Sequence, residues 1–334
     1  MKHLLVTVLI LSCVLSGCRR ASTSGGEVRE VRIPRGAGGV GFLPLLVMEK
    51  KNLIETHARE AGINDLSVNW IGLGGPSNVN DALLSGAADF VAAGPPAFLI
   101  LWDKTRDTKR VMGVAAMSSL PMYLNTREER LKKLDDVSEK DKIAVTAIGV
   151  SIPVIIMQMY AKEKYGPSEW ERFDRFAVTM GHADGVNALL SGGGGISAHF
   201  TSPPFHQRER SKDPRIRTIM TSDEVMGGPS TFTMLYSTSG FREKNPKVFK
   251  AVRDALQEAI SMILADKKKA AELDTDFSSE ELLAVLNDPD VRFTTTPENV
   301  MKYAEFMHGV DLIKNLPASW MDLFFPETHS ASGS

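Results

Sequence analysis

The sequence predicts an α/β fold of two parallel-sheet lobes joined by two hinge crossings. Three observations carry that expectation. Strand and helix patterns alternate through most of the chain, as they do in parallel sheets covered by helices on both faces. One pattern occurs twice, as GPSNVNDALLSG at 75–86 and GHADGVNALLSG at 181–192. Each copy reads as turn, short helix and glycine stop, then runs through a short strand to a double proline, Pro95-Pro96 or Pro203-Pro204. Two short crossings, at 118–123 and 231–236, separate a middle block from both ends of the chain. At 334 residues there is room for two cores of ordinary domain size.

Local pattern justifies each element in turn. Residues 28–33 alternate Val, Arg, Glu, Val, Arg, Ile and read as the first strand. A glycine-rich turn at 34–41 leads to a helix at about 42–52, with Leu45, Leu46 and Met48 toward the core. Residues 66–73 form the second strand. The helix after it opens at Ser77, an N-cap residue type with Asn80 three positions on. Strands at 88–92 and 111–117 flank a helix at 97–102. The middle block has a strand at 142–147, a helix at 151–165 and a strand at 176–180. The second copy of the pattern follows, with strands at 196–200 and 216–220. From 245 the chain is helical, and Phe249, Val252, Leu256, Ile260 and Ile263 keep the spacing of one buried face. Further helices are expected at 279–286 and 297–314, the apolar 316–326 docks on a lobe, and 329–334 frays. Lobe 1 is then 28–120 plus 236–334, and lobe 2 is 121–235.

Composition narrows the function. A net charge of −2 without a basic stripe argues against nucleic acid as a partner. At the N-terminus Met1-Lys-His precedes an apolar run at 4–15, too short to span a bilayer and suited to a signal peptide. It ends in Leu15-Ser16-Gly17-Cys18, which resembles a bacterial lipobox: 1–17 is removed and Cys18 carries lipid. The alternative is an ordinary signal peptide with an incidental cysteine. Cys13 lies in the removed segment, so the mature chain holds one cysteine and no disulfide. Residues 18–27 read as a flexible tether.

Ligands of open parallel sheets bind beyond the carboxyl ends of the strands, where helix N-termini offer N–H groups and about half a positive charge. In lobe 1 that rule selects Arg35, Gly38, Gly39 and Phe42, then Gly75, Ser77 and Asn78, then Gly94 and Pro95, with Ser118 at the crossing. In lobe 2 it selects Thr146, Ser151, His182, Thr201 and Ser202. Arg35 is either a bidentate partner for a carboxylate or sulfonate or a solvated strand-end arginine. Residues 36–41 match G-x-G-x-x-G, but the second strand ends without the ribose-binding acid, leaving a ligand loop or a structural turn. Gly149-Val-Ser151-Ile-Pro153 misses the nucleophile elbow, and Ser151 reads as a helix cap. His182, His199 and His206 match no zinc spacing, so no metal and no cofactor are expected. His182 stands where a ligand contact belongs; His199 and His206 read as ordinary strand and loop residues.

Three stretches, in this order, carry a family resemblance: Gly94-Pro95-Pro96 after a strand, FREKNPKVF at 241–249, and Pro317-Ala-Ser-Trp320 with Phe324-Phe-Pro326-Glu. Together they resemble the periplasmic-type substrate-binding proteins of ABC importers, in the sulfonate/taurine/nitrate group with its thiamine-precursor relatives. The resemblance covers nearly the whole mature chain. It implies the two-lobed periplasmic-binding-protein fold (type II), closing on a small, anionic organic solute such as a sulfonate, taurine, nitrate or a carboxylate. It further implies a monomer, delivery to an ABC permease without catalysis, and a place in the periplasm or at the cell surface, held to the membrane by the lipid on Cys18. Two alternatives stay open: a pyrimidine-precursor-synthesising enzyme on the same fold, and a ligand-sensing lipoprotein uncoupled from transport. The enzymes carry a cysteine-rich motif that this chain lacks beyond position 18.

Overall fold

A computed structural model describes residues 26–73, 75–192 and 195–334. The signal segment, Cys18 and most of the tether lie outside the described residues, as do Gly74, Gly193 and Gly194. The chain opens with β1 (Glu30–Pro34), a 3-10 turn (Val40–Phe42), α1 (Leu43–Lys51), α2 (Leu53–Glu60) and β2 (Ser67–Ile71). It continues with α3 (Pro76–Ser85), β3 (Phe90–Ala93), α4 (Pro95–Thr105) and β4 (Val111–Ser119). The middle holds β5 (Tyr123–Thr126), β6 (Ile143–Val145), α5 (Ile152–Tyr165), β7 (Ala177–Thr179), α6 (His182–Ser191), β8 (Ala198–Thr201), α7 (Phe205–Lys212), β9 (Arg217–Thr221) and α8 (Ser222–Met226). The return strand is β10 (Thr231–Thr238). After it come α9 (Ser239–Lys244), α10 (Pro246–Ala265), α11 (Lys267–Ala271), α12 (Ser279–Leu286) and α13 (Val300–His308).

Both sheets use one plan. In the second, the order is β7-β6-β8-β5-β9, with β6 parallel to β7 and β8 and β5 antiparallel to β8 and β9. In the first the strands fall into two abutting pieces, a two-stranded sheet with β1 parallel to β2 and a three-stranded one with β10 antiparallel between β3 and β4. Asp89 N donates to Arg32 O, and Arg32 N donates back to the Asp89 carboxylate, both at 2.9 Å, which joins β1 to the head of β3. The one antiparallel strand of each sheet is the strand that has just crossed over. A boundary at 235/236 would cut β10, which pairs with β4 over Thr231–Thr238 and with β3 over Met234–Ser237. Its alternating Thr231-Phe232-Thr233 start is strand, not linker.

At the crossings a small polar knot sits in the core. Thr233 Oγ1 and Ser118 Oγ stand 2.7 Å and 3.1 Å from Gly41 O and share a hydrogen bond of 2.6 Å with each other. Gly41 has to be glycine, because a Cβ there would stand 2.3 Å from the Phe232 ring. Helix α10 starts at Pro246, where a missing N–H costs nothing. It buries Val252, Leu256, Ala259, Ile260 and Ile263 against α1 and α2, each large aliphatic side chain contributing about 1.5–3 kcal/mol. The C-terminus does not fray: Val300 N donates to Ser334 O at 2.8 Å and Ser334 N to Pro297 O at 3.0 Å.

One half-buried carboxyl sets a pH dependence. Burial pushes the Asp174 carboxyl up to about 6, Glu171 adding to it against the hydrogen bond from Gln158. Gln158 Nε2 donates to Asp174 Oδ2 at 2.7 Å, while Gln158 Oε1 and Asp174 Oδ1 are buried without partners. A protonated Asp174 donates to that orphaned Oε1 and satisfies both. The raised value means this stabilisation is complete below the ordinary 3.8 and lost as pH rises through about 6. Asp174→Asn, which keeps a donor at every pH, is expected to raise the melting temperature at pH 8 and leave it unchanged at pH 4. An equal effect at both values in thermal unfolding would remove the protonation argument.

Candidate ligand-binding site

Between the two sheets lies a pocket of about 60 Å³. Its wall comes from the loop after β1 (Ala37, Gly38, Phe42), the start of α3 (Pro76) and the end of β3 (Ala92, Ala93, Gly94). The other lobe adds Thr146 after β6, Val150 to Pro153 at the start of α5, and His182 at the start of α6. Met122, Phe232 and Thr233 from the crossings form the floor. Apart from these last, and from Ala92 and Ala93 within the end of β3, the lining residues follow the carboxyl ends of strands, where such sheets place their ligands.

Four helices, α3 and α4 from one lobe and α5 and α6 from the other, direct N-terminal residues at this space. Their dipoles make the pocket electropositive. Among the described residues no lysine or arginine lines it. Pro76 and Pro95 occupy first helical positions and Pro96 and Pro153 second ones, so these helices present fewer N–H groups than four free ends would. The remaining wall is largely apolar.

The lobes touch here. A Cβ on Gly94 would come within 2.8 Å of Ile152 Cδ1 across the cleft, and one on Gly39 within 3.2 Å of Phe205. Gly38, Phe42, Gly94, Thr146, Ser151 and His182 from the sequence-predicted set line the pocket. Several others stand just behind it. Gly39 packs on Pro203 and Phe205, Gly75 precedes α3 as its N-cap, and Pro95 is buried at the start of α4. Thr201 and Ser202 are buried at the end of β8, Thr201 Oγ1 lying 3.5 Å from His182 Nδ1.

Four candidates point elsewhere. Arg35 closes a forked ion pair on Glu49, with Nε 2.9 Å and Nη2 2.7 Å from its carboxylate, on the surface. Ser77 is the second helical residue of α3 and caps nothing, because Pro76 is preorganised for the first position and moves the cap to Gly75. Asn78 Nδ2 donates to Leu73 O at 2.9 Å, holding its own loop. Ser118 is spent in the hinge knot. Ser151 occupies the N-cap position of α5, but its hydroxyl donates back to Ala147 O. Sequence reasoning missed Met122, Ile152 and Phe232; the readable signal was an apolar residue flanking each crossing or helix start.

Behind His182 runs a buried polar chain. His182 Nδ1 is 3.1 Å from His199 Nε2, and His199 Nδ1 is 2.5 Å from Glu209 Oε1. Asn125 Nδ2 donates to Glu209 Oε2 at 2.7 Å, and Thr218 Oγ1 donates to Asn125 Oδ1 at 2.8 Å. His199 and Glu209 are wholly buried, and His182 is 8% exposed. Burial, then the neighbouring His199, lowers His182 to about 3. His206 is held down to about 4 by burial and by Arg210, its ring stacked on Tyr123 at 3.8 Å. His199 is therefore no ordinary strand residue.

Two sheets of one plan, joined by two crossings and enclosing a pocket at their carboxyl edges, define the two-lobed periplasmic-binding-protein fold. Solved structures share it. The alkanesulfonate-binding protein SsuA of Xanthomonas axonopodis pv. citri, bound to MOPS, superposes with a TM-score of 0.66 at 15% identity, covering 89% of this chain and 97% of that one. The periplasmic aliphatic sulphonate-binding protein SsuA of Escherichia coli gives 0.64 at 13% identity, over 90% and 92%. A Candida albicans protein described as having the generic periplasmic-binding-protein fold gives 0.64 at 16%, over 86% and 92%. At these identities the likeness establishes the fold. No protein-family model matches the sequence, and no curated protein does.

Proposed function

We propose that this chain is an extracytoplasmic solute-binding lipoprotein of the sulfonate/taurine/nitrate type. It captures a small organic anion between its lobes and delivers it to an ABC importer. The observation that carries the reading is the convergence of four helix N-termini from both lobes on one pocket that no basic side chain among the described residues lines. Such ends stabilise an anionic head through N–H groups and dipoles, while Phe42, Met122, Ile152 and Phe232 suit a short apolar tail. Structural neighbours that bind sulfonates support the same head group. A cavity of about 60 Å³ suits a solute of a few heavy atoms, since drug-sized ligands need ~300 Å³ or more.

The mechanism is closure. A solute that touches α3 and α4 on one side and α5 and α6 on the other makes its full set of contacts only when the lobes are shut. Its differential affinity then shifts the population to the closed form. The permease reads that form, the lobes being 28–120 with 231–334 and 121–230, and Cys18 tethers a monomeric receptor to the membrane through 19–27. The test is a thermal-shift screen of ethanesulfonate, taurine, nitrate, benzoate and a pyrimidine, with ethanol and ethylamine as uncharged and cationic comparisons. A binding anion at a hundred times its Kd contributes about 2.7 kcal/mol, a rise of roughly 5–10 °C. No rise with any anion would sink the proposal.

A further inference from the structure

The chain from Glu209 to His182 ends in the pocket, and its proton count fixes what the pocket sees. Glu209 accepts a hydrogen bond from Asn125 and shares one with His199, and among the described residues no lysine or arginine bonds to its carboxylate. A wholly buried carboxylate without a compensating positive charge or proton is strongly disfavoured. The Glu209–His199 unit is neutral only when it carries two protons. One sits in the 2.5 Å link between Glu209 Oε1 and His199 Nδ1, on either side of it. The second is on His199 Nε2 in both cases. That N–H faces His182 Nδ1 at 3.1 Å, so Nδ1 accepts. A neutral His182 then carries its own proton on Nε2, which has no protein partner among the described residues. The depression of His182 toward the neutral form agrees with this arrangement.

We propose that Glu209 and His199 lock His182 as an Nε2–H donor aimed at the ligand, making His182 a specificity-determining residue that selects a hydrogen-bond-accepting head group. This rests on the solute-binding reading of the pocket and supplies the side-chain donor that the proline-depleted helix ends lack. The second copy of the repeated pattern is built for it. His182 stands where the first copy has Pro76, and Gly185 where the first has Val79. A Cβ on Gly185 would stand 2.5 Å from His199 Nε2, so only glycine leaves room for the His199 ring against α6.

The deciding measurement is long-range ¹H–¹⁵N correlation NMR of the full chain labelled with ¹⁵N-histidine, without ligand, at pH 7. The expected spectrum shows His182 with a protonated Nε2 and an unprotonated Nδ1, and His199 protonated at Nε2. A His182 carrying its proton on Nδ1 overturns the proposal, whatever the protein binds. Gly185→Ala, which removes no polar group, is expected to unlock the tautomer and weaken ethanesulfonate binding about tenfold. His182→Gln, which keeps a donor, is expected to bind within about threefold of wild type, and His182→Met at least tenfold more weakly. Equal binding by the Gln and Met variants also overturns it. The expected wild-type tautomer in a protein that binds no anion would uphold the donor assignment while refuting the anion reading.

Discussion

Gly94→Ala is expected to weaken solute capture by about fivefold to a hundredfold while leaving the protein folded. The backbone at Gly94 is extended, φ −74° and ψ 161°, so alanine meets no strain there. What it meets is the other lobe. The new methyl would lie 2.8 Å from Ile152 Cδ1 and 2.9 Å from Ile152 Cγ1 across the cleft, with Phe232 O of its own lobe at 3.2 Å. Ile152 is buried, so relief comes from parting the lobes or distorting a side chain, at about 1–3 kcal/mol. Because the clash with Ile152 is between lobes, its cost subtracts from closure, and about 1.4 kcal/mol is tenfold in affinity. Gly75→Ala is the comparison, since a Cβ there stands at an ordinary 3.7 Å from Thr146 O. Isothermal titration of both variants decides it: equal affinities would show that Gly94 does not gate the cleft.

The second large effect is expected at a strap outside the pocket. Phe277, between α11 and α12, reaches α7 of the opposite lobe and packs edge-on to Phe205 at 5.1 Å. Arg208 lies over the Phe277 ring at 4.1 Å and forks onto Glu281 at 3.2–3.3 Å. Phe205 touches His182 in turn, at 5.1 Å between ring centroids. The strap is thus separate from the main core and continuous with the site. Burying such a ring contributes about 1.5–3 kcal/mol. Phe277→Ala is expected to lower solute affinity about thirtyfold, chiefly through faster release, and to change the melting temperature of the ligand-free protein far less. Stopped-flow release with unaltered rates would show the strap to be ornament to closure.

Much of this architecture was readable from residue order. The two ALLSG units sit in equivalent helices, α3 and α6, because apolar periodicity and a glycine stop are local signals. Helices α2 and α7 were missed. The first continues α1 after a left-handed Asn52, and the second is polar along most of its length. The site was legible only where position along the chain sufficed. Gly94 and His182 follow strands and so fall in the cleft. Arg35 also follows a strand, yet its partner Glu49 is a neighbour in space that no spacing rule reveals. Glu209 was invisible for the same reason. It is the single acid of an otherwise basic helix, FHQRERSK, and reads as a solvated charge until the fold turns that side chain inward to His199.

Because β10 lies between β3 and β4, the first sheet stays split until residues 231–238 have been made. The second sheet needs only 123–221, one continuous stretch. A chain emerging from its N-terminus therefore completes its middle before its beginning, and the gap beside β3 and β4 leaves two strand edges open meanwhile. Contacts of such long sequence separation slow folding and expose unpaired edges to other chains. The repeated plan that gives the receptor its cleft also makes its last-synthesised third, β10 with α10, the piece that closes its first-synthesised lobe.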